Sequence, residues 1–103
     1  MSEKKRIRVV TICGHGMGTA ILMQMLVTKA LETLKVPADI EAGNVAIARS
    51  YKLDKDLIVA GEEMGETLQD VGLPVVLLAN FIREEHAIER LKPVLKKDFG
   101  YNF

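Results

Sequence analysis

The sequence predicts an α/β fold, a three-layer α/β/α sandwich built on a four-stranded parallel sheet. Three observations predict it. Short apolar, β-branched runs recur at residues 8–13, 39–43, 56–60 and 75–79. Patterns with helical spacing separate or follow them at 18–35 and 83–97. The runs close on turn-forming or polar residues, as at Gly43–Asn44, Gly61–Glu62 and Asn80. Strands alternating with helices imply a parallel sheet covered on both faces.

Residues 8–13 form a β-branched run ending at Cys13, with glycines beyond it, the pattern of a buried strand. In 18–35, Leu22, Met23, Leu26, Val27, Ala30, Leu31 and Leu34 fall along one stripe, and Gln24, Thr28, Lys29, Glu32, Thr33 and Lys35 lie mainly opposite. Val36–Pro37 stops this helix, because proline cannot continue it. Residues 39–43 read as a second strand and 44–50 as a turn or short helix. A third strand, 56–60, ends at Gly61. Residues 61–72 hold three glycines and four acidic residues, which predicts a loop with one helical turn. Pro74 introduces the fourth strand, 75–79. The closing helix, 83–97, turns Ala87, Ile88, Leu91, Val94 and Leu95 inward, and Pro93 within it is a kink site. The chain is expected to form one domain over 1–103, with an N-terminal arm at 1–7 and a tail at 98–103.

Composition bounds the function. The 103 residues suffice for a core without disulfides or a structural metal. With 49% hydrophobic and 27% charged residues, disorder is not expected. Fourteen basic residues balance 14 acidic ones, which argues against a nucleic-acid or membrane-surface role. Lys4, Lys5, Arg6 and Arg8 lack interleaved aromatics and read as a solvated arm. A single cysteine excludes an internal disulfide and suits a reducing cytoplasm. No apolar run follows the early basic residues as a signal peptide requires, and the most apolar helix carries Gln24, Lys29, Glu32 and Lys35. A cytoplasmic chain without membrane insertion is the expectation.

The chemistry concentrates at Cys13-Gly14-His15-Gly16-Met17-Gly18-Thr19. A thiol between a strand and a helix N-terminus lies beside backbone N–H groups that lack intrahelical acceptors, within the positive end of the helix dipole. Those conditions favour the nucleophilic thiolate and make a cradle for a phosphoryl group. Alternating glycines free the backbone to turn its N–H groups inward, and Thr19 is placed to offer a first-turn hydroxyl. The segment lacks the Gly-Lys-Ser/Thr ending of a Walker A loop and the one-then-two glycine spacing of a dinucleotide fingerprint. His15 reads as a solvent-facing residue or as a source of added positive charge near the phosphate. Met17 reads as an adaptable apolar contact for partners. Glu62, Glu63 and Glu66 read as solvated residues able to overhang the loop, and His86 as surface. Neither histidine has metal-ligand spacing to the cysteine, so no metal and no cofactor are expected.

The pattern from Ile12 to Met25 resembles the cysteine loop of IIB components of the bacterial sugar phosphotransferase system, most of all the ascorbate/galactitol-type group. Nearly the whole chain is similar to that family in length and element order. The resemblance implies a lactose/cellobiose IIB-like fold. It implies a phosphorylated Cys13 and a phosphate-binding loop of Gly14, His15, Gly16, Met17, Gly18 and Thr19. It further implies a IIA protein as phosphohistidine donor and a membrane IIC component, with its sugar, as acceptor. Ala79–Asn80–Phe81 is similar only in layout, so no role is carried over there. Two alternatives stay open. A low-molecular-weight phosphatase or arsenate-reductase-like enzyme shares the loop length but closes it with arginine, where this chain has Thr19; the arginine fork would stabilise charge in hydrolysis. A non-catalytic anion-binding module would leave Cys13 structural.

Overall fold

A computed structural model describes residues 6–12, 17–79 and 83–101. The strands are β1 (Ile7–Ile12), β2 (Ala38–Ala42), β3 (Leu57–Gly61) and β4 (Val75–Leu78), and the helices are α1 (Met17–Thr33) and α2 (Glu84–Phe99). All strands pair in parallel in the order β2-β1-β3-β4. Val9 sits opposite Ile40 on one side and Leu57 on the other, so β1 is central.

Alternation along the strands builds two cores. Ile7, Val9, Leu57, Val59, Val76 and Leu78 face α1 and α2, where Met23, Val27, Leu31, Ala87, Leu91 and Leu95 meet them. Val10, Ile12, Ile58 and Ala60 face the other way, onto Ala48, Met64, Leu68 and Val71. That second layer is made of 3-10 and turn structure: a 3-10 segment at Val45–Leu53, a 3-10 turn at Glu62–Met64 and the turns after it. Strand β3 is buried throughout because both layers cover it. Edge strand β2 alternates instead, with Asp39 and Glu41 exposed, which guards its free edge with charge.

Several expected boundaries shift. Ile7, read as the end of an arm, is buried and opens β1, and Arg6 pairs with Asp39 at 3.0 Å. Helix α1 ends at Thr33, before the proline. Lys35 takes the left-handed conformation (φ 60), Val36 N–H donates to Leu31 O at 2.9 Å and Lys35 N–H to Glu32 O at 3.0 Å. This is a Schellman stop with lysine in the place glycine favours. Leu22 is exposed rather than part of the buried stripe, since the stripe centres on Met23, Val27 and Ala30 and Leu22 falls on its margin. At the other end, α2 continues through Pro93 to Phe99, so the expected tail begins inside a helix. Gly100 (φ 72) stops it, and Tyr101 N–H reaches back to Leu95 O at 3.1 Å. The Tyr101 ring packs on the α1/α2 core, and burial raises its phenol above the ordinary pKa of 10.0.

The order β2-β1-β3-β4 also positions the site. The chain moves from β1 outward to β2, then crosses to β3 on the far side of β1, so the switch point lies between β1 and β3 at their carboxyl ends. Beside it, the turn after β2 is held by Tyr51. Its hydroxyl accepts from Asn44 N–H at 2.9 Å, and Asn44 Oδ1 accepts from Ala46 N–H at 2.8 Å, capping the 3-10 segment. Gly43 N–H donates to Thr11 O at 2.7 Å, extending the β1–β2 ladder. A Cβ at Gly43 would overlap Val10 Cγ2 and lie 2.7 Å from Tyr51 Oη, so this close approach requires glycine.

Leu31→Ala should cost about 2–5 kcal/mol in urea unfolding, because it opens a cavity in the α1/α2 core. Leu53→Ala, at a side chain 81% exposed, should stay within about 0.5 kcal/mol. Gly43→Ala should lose about 1–3 kcal/mol by overpacking against Val10 and Tyr51, read as a lowered urea midpoint with an unchanged slope.

Candidate functional site

The carboxyl edge of a parallel sheet is where its strands release the chain, and here four releases converge. They follow Ile12, Ala42, Gly61 and Leu78. Ile12 is fully buried, so β1 delivers the chain from the centre of the core. Helix α1 begins at Met17, with only four residues (13–16) between. Its amino end therefore belongs to this edge, and with it the N–H groups of the first turn, which have no partner inside the helix. Helix α1 runs 17 residues with no acidic residue in its first turn, so no carboxylate there offsets the dipole's positive end.

Of the expected site residues, Cys13, Gly14, His15 and Gly16 lie outside the described residues, as does Asn80. Met17 and Gly18 are the first two residues of α1. Thr19 is the third, partly buried, in the first turn as expected. Thr11, two residues before the cysteine, is fully buried and its hydroxyl donates to Glu41 O at 3.3 Å. This bond ties the end of β1 to β2 in addition to their ladder.

The opposite rim follows β3 and is acidic. Glu62, Glu63 and Glu66 are exposed, as the sequence predicts. Glu62 is also tied down: its carboxylate accepts from Arg90 Nη2 at 3.3 Å, and Arg90 Nη1 donates to Leu77 O at 3.4 Å. The pair is half exposed, so its contribution to stability is small, and what it supplies is position. His86, expected at the surface, is partly buried and structural. Its Nε2 accepts from Ala79 N–H at 2.9 Å and holds the end of edge strand β4. His86 and Arg90 stand one turn apart on α2, and the four-residue spacing that puts both on one face was the available signal. The packing of Tyr51 on Gly43 also went unread, since a contact spaced eight residues apart follows neither helical nor strand periodicity.

No helix among the described residues is long and apolar enough to cross a membrane. Known proteins agree with this architecture. Residues 8–93 match the family described as "PTS system, Lactose/Cellobiose specific IIB subunit". The chain is 26% identical over 94 residues to the "Ascorbate-specific PTS system EIIB component" of Mycoplasma pneumoniae, a match covering 90% of this chain and 99% of that protein. It superposes on the lactose-specific IIB component domain of the phosphoenolpyruvate:carbohydrate phosphotransferase system from Streptococcus pneumoniae with a TM-score of 0.58. That likeness covers 91% of this chain and 99% of the other at 17% identity, and so speaks to fold. A family match running from the second residue of β1 to Pro93 in α2 takes in every strand, helix α1 and the junction between β1 and α1: the chain belongs to the lactose/cellobiose-specific IIB subunit family of the phosphotransferase system, and its role is in sugar phosphotransfer.

Proposed function

We propose that the chain carries a phosphoryl group on Cys13, taking it from a phosphohistidine of a IIA protein and passing it to a sugar at a membrane IIC component. The single observation that carries this reading is the entry of α1 after a connection of four residues from the buried end of β1, at the switch point of a IIB-family sheet. A cysteine in that connection stands next to amides that favour both thiolate and phosphate.

In the first step the Cys13 thiolate attacks the phosphorus of the phosphoimidazole. An S–P bond forms as the N–P bond breaks, and the imidazole leaves with its electron pair. In the second step a sugar hydroxyl attacks the same phosphorus. An O–P bond forms, the S–P bond breaks, thiolate is regenerated, and a base of the accepting component takes the hydroxyl proton. N–H groups of Gly14 to Thr19 and the Thr19 hydroxyl stabilise charge on the equatorial oxygens in both steps. Arginine, which would clamp the group for hydrolysis, is absent from positions 13–19. That favours a phosphocysteine lasting until its acceptor docks. An ascorbate-type carbohydrate is the proposed cargo, supported by the relative from Mycoplasma pneumoniae.

Incubation with phosphoenolpyruvate, the general phosphotransferase proteins and a cognate IIA should add one phosphoryl group, mapped by mass spectrometry to Cys13 and absent in Cys13→Ser. No adduct from a demonstrably phosphorylated IIA would refute the proposal. Thr19→Val should slow adduct formation about 3- to 10-fold, the value of one hydrogen bond, while leaving the urea midpoint nearly unchanged. An unchanged rate would remove Thr19 from the cradle.

A further inference from the structure

Helix α1 carries an exposed apolar patch where a surface helix ordinarily turns polar. Ile21, Leu22 and Met25 are 47%, 58% and 63% exposed. At about 100° per residue they fall within a roughly 100° arc, on the side of the helix away from buried Met23, Val27 and Ala30. Farther along the same face the residues become Lys29 and Glu32, both exposed and charged. The apolar portion is therefore confined to the half of α1 nearest the cysteine. Met25 lies about 12 Å along the axis from Met17, and residues 17–28 contain no ionisable side chain.

We infer that Ile21, Leu22 and Met25 form the docking surface for the phosphohistidine-bearing donor protein. This inference rests on the phosphocarrier reading above and adds where the donor sits. Area argues for a transient partner rather than a second copy of this chain. The three side chains expose on the order of 300 Å² of apolar surface, whereas a stable interface buries roughly 800 Å² on each partner. Charge selects the donor over the acceptor. A donor arrives carrying a phosphoryl dianion, and an uncharged helix start without first-turn carboxylates opposes it least. The other rim, across the sheet, presents Glu62, Glu63 and Glu66. The accepting component offers only a sugar hydroxyl and meets no such repulsion on either side.

The test is the double variant Leu22→Asp/Met25→Asp in the full chain, with a phosphorylated cognate IIA as the probe. Both residues are exposed, so circular dichroism, the urea midpoint and alkylation of Cys13 by iodoacetamide should match the parent. The KM for phospho-IIA should rise on the order of tenfold or more, with the maximal rate of Cys13 phosphorylation retained. Three results would overturn the inference. An unchanged KM removes the patch from donor docking. Normal phosphorylation with failed transfer to sugar assigns the patch to the acceptor. A concentration-dependent dimer in sedimentation, lost in the variant, assigns it to self-association. If the unmodified chain receives no phosphoryl group from the same donor, the carrier reading has failed, and the docking proposal falls with it.

Discussion

Everything about the site follows from a short connection. Four residues separate the buried last residue of β1 from the first residue of α1. Such a connection spans at most about 18 Å, so the amino end of α1 cannot leave the carboxyl edge of the sheet. The helix is anchored there by Met23, Val27 and Leu31 in the core it shares with α2. Helix packing thus sets where the free amides stand, and the strand sets where the cysteine enters.

The two faces of the sheet do different work around that junction. The α1/α2 face supplies the long helices and the larger apolar cluster. The other face is closed by 3-10 and turn structure, whose buried Ala48, Met64, Leu68 and Val71 do the work of helices with fewer residues. The turns on that face bring two rims to the carboxyl edge. One is fixed by Gly43, Asn44 and Tyr51. The other is acidic and held through Arg90 to α2 and β4. The first turn of α1 carries no acidic residue, whereas the rim after β3 carries the exposed Glu62, Glu63 and Glu66.

Much of this was legible in the sequence because it is local. Short apolar, β-branched runs located all four strands to within one residue at each end. Helical periodicity located both helices and Met23, Val27, Leu31, Ala87, Leu91 and Leu95 as core. Helix ends were less readable: Lys35 in the left-handed conformation disguises the stop of α1, while Gly100 offered an ordinary signal that was passed over. Met64, Leu68 and Val71 keep helical spacing within a stretch whose glycines and carboxylates read as loop, so their place in the second core was hidden by composition. Leu22 fell on the wrong side of a stripe margin. His86 and Tyr51 each bond a backbone N–H seven residues back, at Ala79 and Asn44, a spacing that belongs to neither helix nor strand periodicity and so gives no pattern to read. Cys13 to Thr19 stood out by residue type, by alternating glycines and by its place between a strand and a helix.

Backbone amides at the start of α1 are proposed to hold the phosphoryl group on Cys13. Amide proton and nitrogen shifts of the isotopically labelled chain, before and after phosphorylation by its donor, test it most directly. The largest downfield amide proton shifts should fall within residues 14–19, with β2, β4 and the far end of α1 nearly unmoved. Shifts centred elsewhere, or a phosphorylated chain whose 14–19 amides do not respond, would contradict it.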